Sequence, residues 1–221
     1  LPAIALLLGG IVLFSQTLPE SEMRGPAPHP GPFLKTVLRP EIIAFLLACL
    51  LMQVSHGPYY TFYSILLESH GYTKTAIGLL WAFAVLCEIG VFLAIPRLLR
   101  RFDVRTVLLA SFMFAAVRWL LIGLFPQSPS LIVIAQVLHA ATFGSFHAAG
   151  MQMVYRFFTG RHQHRGQAVY STVSFGLGGA IGSFYSGHTW EALGPAVTYS
   201  IAAGCAVLAF GVAFFLFRPR T

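Results

Sequence analysis

The chain has 221 residues, of which 57% are hydrophobic and only 10% charged, with a mean hydropathy of +0.75 and a formal net charge of +7. Soluble domains carry about 25% charged residues, so the composition excludes a water-surrounded fold for most of the chain and points to a polytopic membrane protein. Cys49, Cys87 and Cys205 all lie inside apolar runs without metal-ligand spacing, and read as packing residues.

A bilayer core about 30 Å thick needs about 20 apolar residues per helix. Seven runs approach or meet that length: 1–18, 41–67, 75–96, 104–125, 130–156, 166–188 and 194–217. The first opens in mid-run as LPAIALLLGGIVLF, and is expected to be the last helix of a preceding bundle in a fragment. Residues 19–40 carry six prolines, Pro19, Pro26, Pro28, Pro30, Pro32 and Pro40. They exclude one continuous helix and predict an extended linker between bundles. The expected fold class is therefore all-α membrane: a six-helix transmembrane bundle over 41–217, one preceding transmembrane helix, and a tail at 218–221.

The cations alternate along the chain. Arg24, Lys35 and Arg39 fall in the linker; Arg97, Arg100, Arg101 and Arg105 in one loop; Arg156, Arg161 and Arg165 in another; Arg218 and Arg220 in the tail. The intervening loops LESHGYTK, PQSPS and HTWEALG hold only Lys74. This bias assigns linker, basic loops and C-terminus of a multi-pass protein to the cytoplasm. It accounts for the charge without nucleic acid, and leaves anionic lipid head groups as secondary partners. His162 and His164, in the basic stretch GRHQHRG, read as solvated rather than catalytic. No nucleophile–base or metal constellation is evident, so neither an enzyme nor a cofactor is expected.

Three polar residues stand on three consecutive spans where lipid should be: Glu88 in WAFAVLCEIGVF, Arg118 in AAVRWLL and His139 in QVLHAATFG. An arginine at the centre of a spanning helix costs roughly 2.5–3.5 kcal/mol on insertion scales, so each of the three should face the bundle interior or a wet cavity. Counted at 1.5 Å per residue from the outer helix ends, Arg118 is roughly 10 Å deep, His139 roughly 14 Å and Glu88 roughly 20 Å. Arg118 is expected to pair with Glu88 or with a substrate anion, and His139 to serve as a proton relay. His147 lies two turns beyond His139 on a similar face, roughly 12 Å along the axis, too far for the two to share a metal. In LMQVSHGPYYTFYSILL, the residues Gln53, His56, Tyr60 and Tyr63 recur at spacings of three and four and line one helix face. Gly57-Pro58 interrupts that helix, as breaks beside a cavity or gate do. Gly178 and Gly182 have the small-xxx-small spacing of close helix contact, and Tyr170 and Ser174 stand one turn apart near them.

The stretches SHGPYYTFYS, GYTKTAIGLLWAFAVLCEIGVF, LLRRFDVRTVLLAS, AVRWLLIG, QVLHAATFGSFHAAGM and RGQAVYS together resemble the carboxy-terminal half of a major facilitator superfamily transporter. More narrowly, they resemble the phenylpropionic acid permease family, a relative of the lactose permease group. The resemblance covers about 41–217. It implies that 41–67 and 130–156 line a central cavity, with Gln53, His56, Tyr60, Tyr63, His139 and His147 available to substrate. It also implies that Glu88, Arg118 and His139 occupy coupling positions. One departure is visible: the lactose permease group has a second carboxylate one turn after the histidine, where this chain has Thr142. The superfamily's basic loop survives only in degenerate form, as PRLLRRFDVR.

The function this implies is proton-coupled import of a small organic solute by alternating access, powered by the proton gradient, with an aromatic acid such as 3-phenylpropionate as the first candidate. A nucleoside or sugar would also fit an aromatic, amide-bearing cavity. A receptor or assembly subunit with the same fold but no flux is the alternative from another class. The expected partners are substrate, protons, membrane lipids and the N-terminal half of the transporter.

Overall fold

The computed structural model describes residues 31–217, which form helices throughout and no strands among the described residues. The expected helix at 1–18, most of the linker and the tail at 218–221 lie outside the described residues. A short helix α1 (Phe33–Val37) follows Pro32, so the linker's proline-free stretch is helical rather than extended. Five long apolar helical stretches come next: α2 (Pro40–Ser69), α3 (Lys74–Arg101), α4 (Val104–Leu124), α5 (Pro129–Phe157) and α6 (Gly160–Phe215).

Their ends follow from local chemistry. Pro40 opens α2 and Pro129 opens α5 at positions where the missing N–H is not needed. The Thr73 hydroxyl accepts from the Ala76 N–H at 3.2 Å to cap α3, and the Asp103 carboxylate accepts from the Arg105 N–H at 3.0 Å to cap α4. α6 spans 56 residues, about twice what a bilayer accommodates. It is divided by Gly194, whose φ of 82° and ψ of 172° break the helix before Pro195. The two runs expected at 166–188 and 194–217 thus lie within one stretch of two limbs.

Three interior breaks shape the bundle. In α2 the ladder shortens at His56, whose N–H turns to the Gln53 carbonyl at 3.1 Å, just before Gly57-Pro58. In α5 the turn Ala140–Ser145 is π-helical, and in α6 so is Thr172–Gly178. Each wide turn admits one extra residue and re-aims the side chains beyond it.

The α2 break is also where two backbones meet. A Cβ on Gly57 would lie 2.2 Å from the Gly182 carbonyl carbon, and one on Gly178 would lie 2.9 Å from the Leu50 carbonyl oxygen. The small-xxx-small pair of α6 therefore packs directly against α2. α6 also packs along α4, while α3 rests chiefly on α5. Large apolar side chains such as Leu79, Leu86, Leu93, Phe184 and Phe215 point outward, and the bundle centre instead buries Trp119, Arg118, Tyr59, Tyr63 and Tyr199. An apolar exterior around an aromatic, polar centre is the arrangement a lipid solvent selects.

Candidate functional site

Arg118 is completely buried in the C-terminal third of α4. Its Nε donates to the Ala135 carbonyl at 3.1 Å and its Nη1 to the Thr142 hydroxyl at 3.2 Å. The guanidinium carbon lies 4.0 Å from the Tyr59 ring centroid and 4.5 Å from that of Trp119. Two aromatic faces, a carbonyl and a hydroxyl thus replace water around the cation. Nη2 has no hydrogen-bond partner among the described residues. Thr142 Oγ1 in turn donates to the His139 carbonyl at 3.2 Å, closing the π-helical turn of α5 beneath the arginine.

The expected Arg118–Glu88 pair does not form. Glu88 instead faces His139, with Oε2 3.6 Å from Nε2. The reason lies in the π-helical turn: Gly144 leaves room for Glu88 against α5, and a Cβ there would stand 3.2 Å from Glu88 Cγ. Meanwhile Arg118 is held over Tyr59 by groups on α5. Among the described residues, Arg118 has no carboxylate within ion-pair distance.

Around this centre the aromatic residues of α2 interlock with an amide from α5. The Tyr59 hydroxyl donates to Gln136 Oε1 at 3.0 Å, and Gln136 Nε2 donates to the Tyr63 hydroxyl. His56 Nδ1 donates to the Met52 carbonyl at 2.8 Å, leaving Nε2 unpartnered, and its ring stands edge-on to Trp119 with centroids 4.8 Å apart. Trp119 Nε1 donates to the Ser55 hydroxyl at 3.1 Å. Tyr60 stacks on His56 and remains 51% exposed, making it the most accessible of these residues.

The sequence-derived set therefore separates into two groups. Glu88, Arg118, His139, His56, Tyr60 and Tyr63 gather around one centre. Gln53 and His147 do not: Gln53 packs against Gly178, and His147 packs against Phe175 with ring centroids 5.8 Å apart. A ladder of rings joins the groups, with His139 stacked on Phe143 at 5.5 Å and Phe143 on His147 at 6.4 Å. Gln136, Tyr59 and Trp119 were missed. A lone amide inside IVIAQVLH was a usable signal for Gln136, whereas nothing local marked Tyr59 or Trp119 over their neighbours.

The MFS_1 like family model matches residues 9–201. The chain belongs to that family. Among curated relatives, this MFS_1-like chain is 36% identical over 158 residues to a probable 3-phenylpropionic acid transporter of Escherichia coli (strain K12), which covers 72% of this chain and 41% of that protein. It is 27% identical over 164 residues to a maltose permease of Geobacillus stearothermophilus, covering 73% and 41% respectively. The chain thus spans about two fifths of the length of the curated relatives it matches. Among solved structures it matches the crystal structure of nucleoside transporter NupG (D323A mutant) with a TM-score of 0.74 and 19% identity, covering 97% of this chain and 59% of that one. That likeness shows the fold. The all-α membrane architecture and the major facilitator family expected from the sequence both stand, and the family is one of transporters rather than enzymes.

Proposed function

We propose that this chain is the C-terminal bundle, with the last helix of the N-terminal one and the linker between them, of a proton-coupled importer of a small aromatic acid such as 3-phenylpropionate. The observation that carries the proposal is Arg118: a fully buried guanidinium that, among the described residues, has one unpartnered nitrogen and no carboxylate of its own, beside a carboxylate–imidazole pair. A buried cation without a counter-ion is stabilised by an anion that arrives with the substrate. Aromatic faces beside it suit the ring of such an acid, and the likeness to a 3-phenylpropionic acid transporter supports that choice. Glu88 and His139 share the coupling proton, and the N-terminal half supplies the opposite wall of the cavity. Rocking of the two halves exposes the site alternately to either side. The excess of cations in alternate loops supports a cytoplasmic linker and C-terminus, and the likeness to bacterial transporters supports a bacterial inner membrane.

A second reading, a sugar or nucleoside symporter, rests on Gln136 held between two phenols, a hydrogen-bonding surface suited to hydroxyl groups, and on the likeness to a maltose permease. Uptake of labelled 3-phenylpropionate, maltose and a nucleoside by the full-length protein in proteoliposomes separates the candidates. With the transported solute identified, Glu88→Gln is expected to abolish accumulation driven by a proton gradient while leaving solute exchange intact. Undiminished accumulation would remove Glu88 from the coupling role. Absence of counterflow with every solute would favour the non-transporting receptor.

A further inference from the structure

We propose that the basic-loop end of this bundle carries a second, separate site, one that binds a phosphate group. A cavity of about 330 Å³ is lined there by Gly31, Pro32, Phe33, Arg161, His162 and Arg165. Its walls come from two parts of the chain that the fold brings together. One is the entry to α1; the other is the single 3₁₀ turn Gly160–His162 with the start of the helix that follows. Phe33 ties them by packing edge-on to His162, with centroids 5.4 Å apart, and against Phe158 at 5.7 Å. Gly166 lets the chain close over Phe158, since a Cβ there would fall 2.2 Å from that ring.

Two features mark this hollow as built for an anion rather than left over from packing. Arg161 and Arg165 are exposed, and neither has an ion-pair partner among the described residues. No carboxylate stands among the described lining residues. His162 is the independent sign: it is 4% exposed rather than solvated as its basic stretch suggested, it lines the cavity, and its Nδ1 has no hydrogen-bond partner among the described residues. A buried imidazole nitrogen is rarely left unsatisfied without a ligand or water to meet it. Two guanidinium forks supply the charge-assisted donors a phosphate oxygen set requires, and a turn of the His162 ring would add its N–H.

The volume admits a phosphate together with a glycerol unit. Leu34 and Leu38, 64% and 58% exposed on and just after α1, add an apolar shoulder beside it. The same chemistry is presented by the phosphate of an anionic phospholipid and by free phosphate. The site is far from Arg118 in sequence and shares no residue with the transport centre, so it stands whether or not the transport reading does.

The test uses the full-length protein in nanodiscs of phosphatidylcholine doped with phosphatidylglycerol, with retained lipid counted by native mass spectrometry. A second arm titrates inorganic phosphate into lipid-free, detergent-solubilised protein and reads the shift in melting temperature. The variant Arg161→Gln/Arg165→Gln is compared with Arg97→Gln/Arg100→Gln, which removes equal charge from the basic end of α3. Both double variants lose the same general surface attraction, so the site variant is expected to retain on the order of tenfold less phosphatidylglycerol than the control variant, the loss of a hydrogen bond to a charged group. His162→Ala should weaken retention and His162→Asn should restore it through the side-chain N–H. A phosphate-dependent melting shift lost only in the site variant would assign the site to free phosphate. Equal lipid loss in both double variants with no such shift, or no binding in either arm, would overturn the proposal.

Discussion

The guanidinium of Arg118 is stabilised by what surrounds it rather than by an ion pair, and that makes its neighbours testable. Lysine keeps the charge but not the planar fork that bridges the Ala135 carbonyl and the Thr142 hydroxyl while lying on Tyr59. Arg118→Lys is therefore expected to weaken substrate binding by on the order of tenfold or more, read by scintillation proximity on the full-length protein. Thr142→Val leaves one buried guanidinium N–H unmet and should lower stability by about 1–3 kcal/mol, read as a lower melting temperature. Thr142→Asp has the opposite electrostatic sense: it gives Arg118 a resident carboxylate, and should weaken binding of an anionic substrate while sparing the melting temperature. If Thr142→Asp bound an aromatic acid as well as the parent does, Arg118 would not be the anion's partner.

Elements of this bundle are joined where side chains are missing. Gly57 and Gly182 put the α2 and α6 backbones in direct contact, and the obstacle to a Cβ at Gly57 is main chain, which cannot swing aside. Gly57→Ala should destabilise the bundle by about 1–3 kcal/mol through overpacking, seen as a lower unfolding temperature in detergent. Gly90→Ala, with open space around its Cβ, is the matched control. At the other end of α6, Arg105 donates to the carbonyls of Phe214 and Phe217 at 2.7 and 2.9 Å, closing the helix terminus with a cation. Arg105→Ala should release that terminus by about 1 kcal/mol, detected as faster amide hydrogen exchange over 212–217.

On the scale of the whole molecule, α3 has only Ile77 and Ala84 buried, although it bears Glu88 at the centre of the polar network. A helix so lightly packed by its own bundle, and so apolar outside, must be covered by lipid or by another protein surface. The charge bias makes a topological prediction of its own. With native cysteines replaced, Ser128→Cys should react with an impermeant maleimide from outside intact cells, and Gln163→Cys only after the membrane is opened. The reverse pattern would invert the bundle in the membrane.

Hydropathy over 20-residue windows determined the class, the long helices and their punctuation by Pro and Gly, because lipid imposes a length and a composition that any spanning helix must meet. It also determined that Glu88, Arg118 and His139 face inward, since a charge facing hydrocarbon is too costly to keep. Which of them pair was decided only in three dimensions. The π-helical turn at Ala140–Ser145 carries the Thr142 hydroxyl that meets Arg118 and the Gly144 that makes room for Glu88, which faces His139 just before the turn. The same holds for Tyr59 and Trp119, whose aromatic character made them ordinary along the chain, and for the partners of Gln136, whose lone amide marked the residue but not what it bonds. Their role arises from crossing helices, where a ring face and an amide edge become the immediate surroundings of a buried cation.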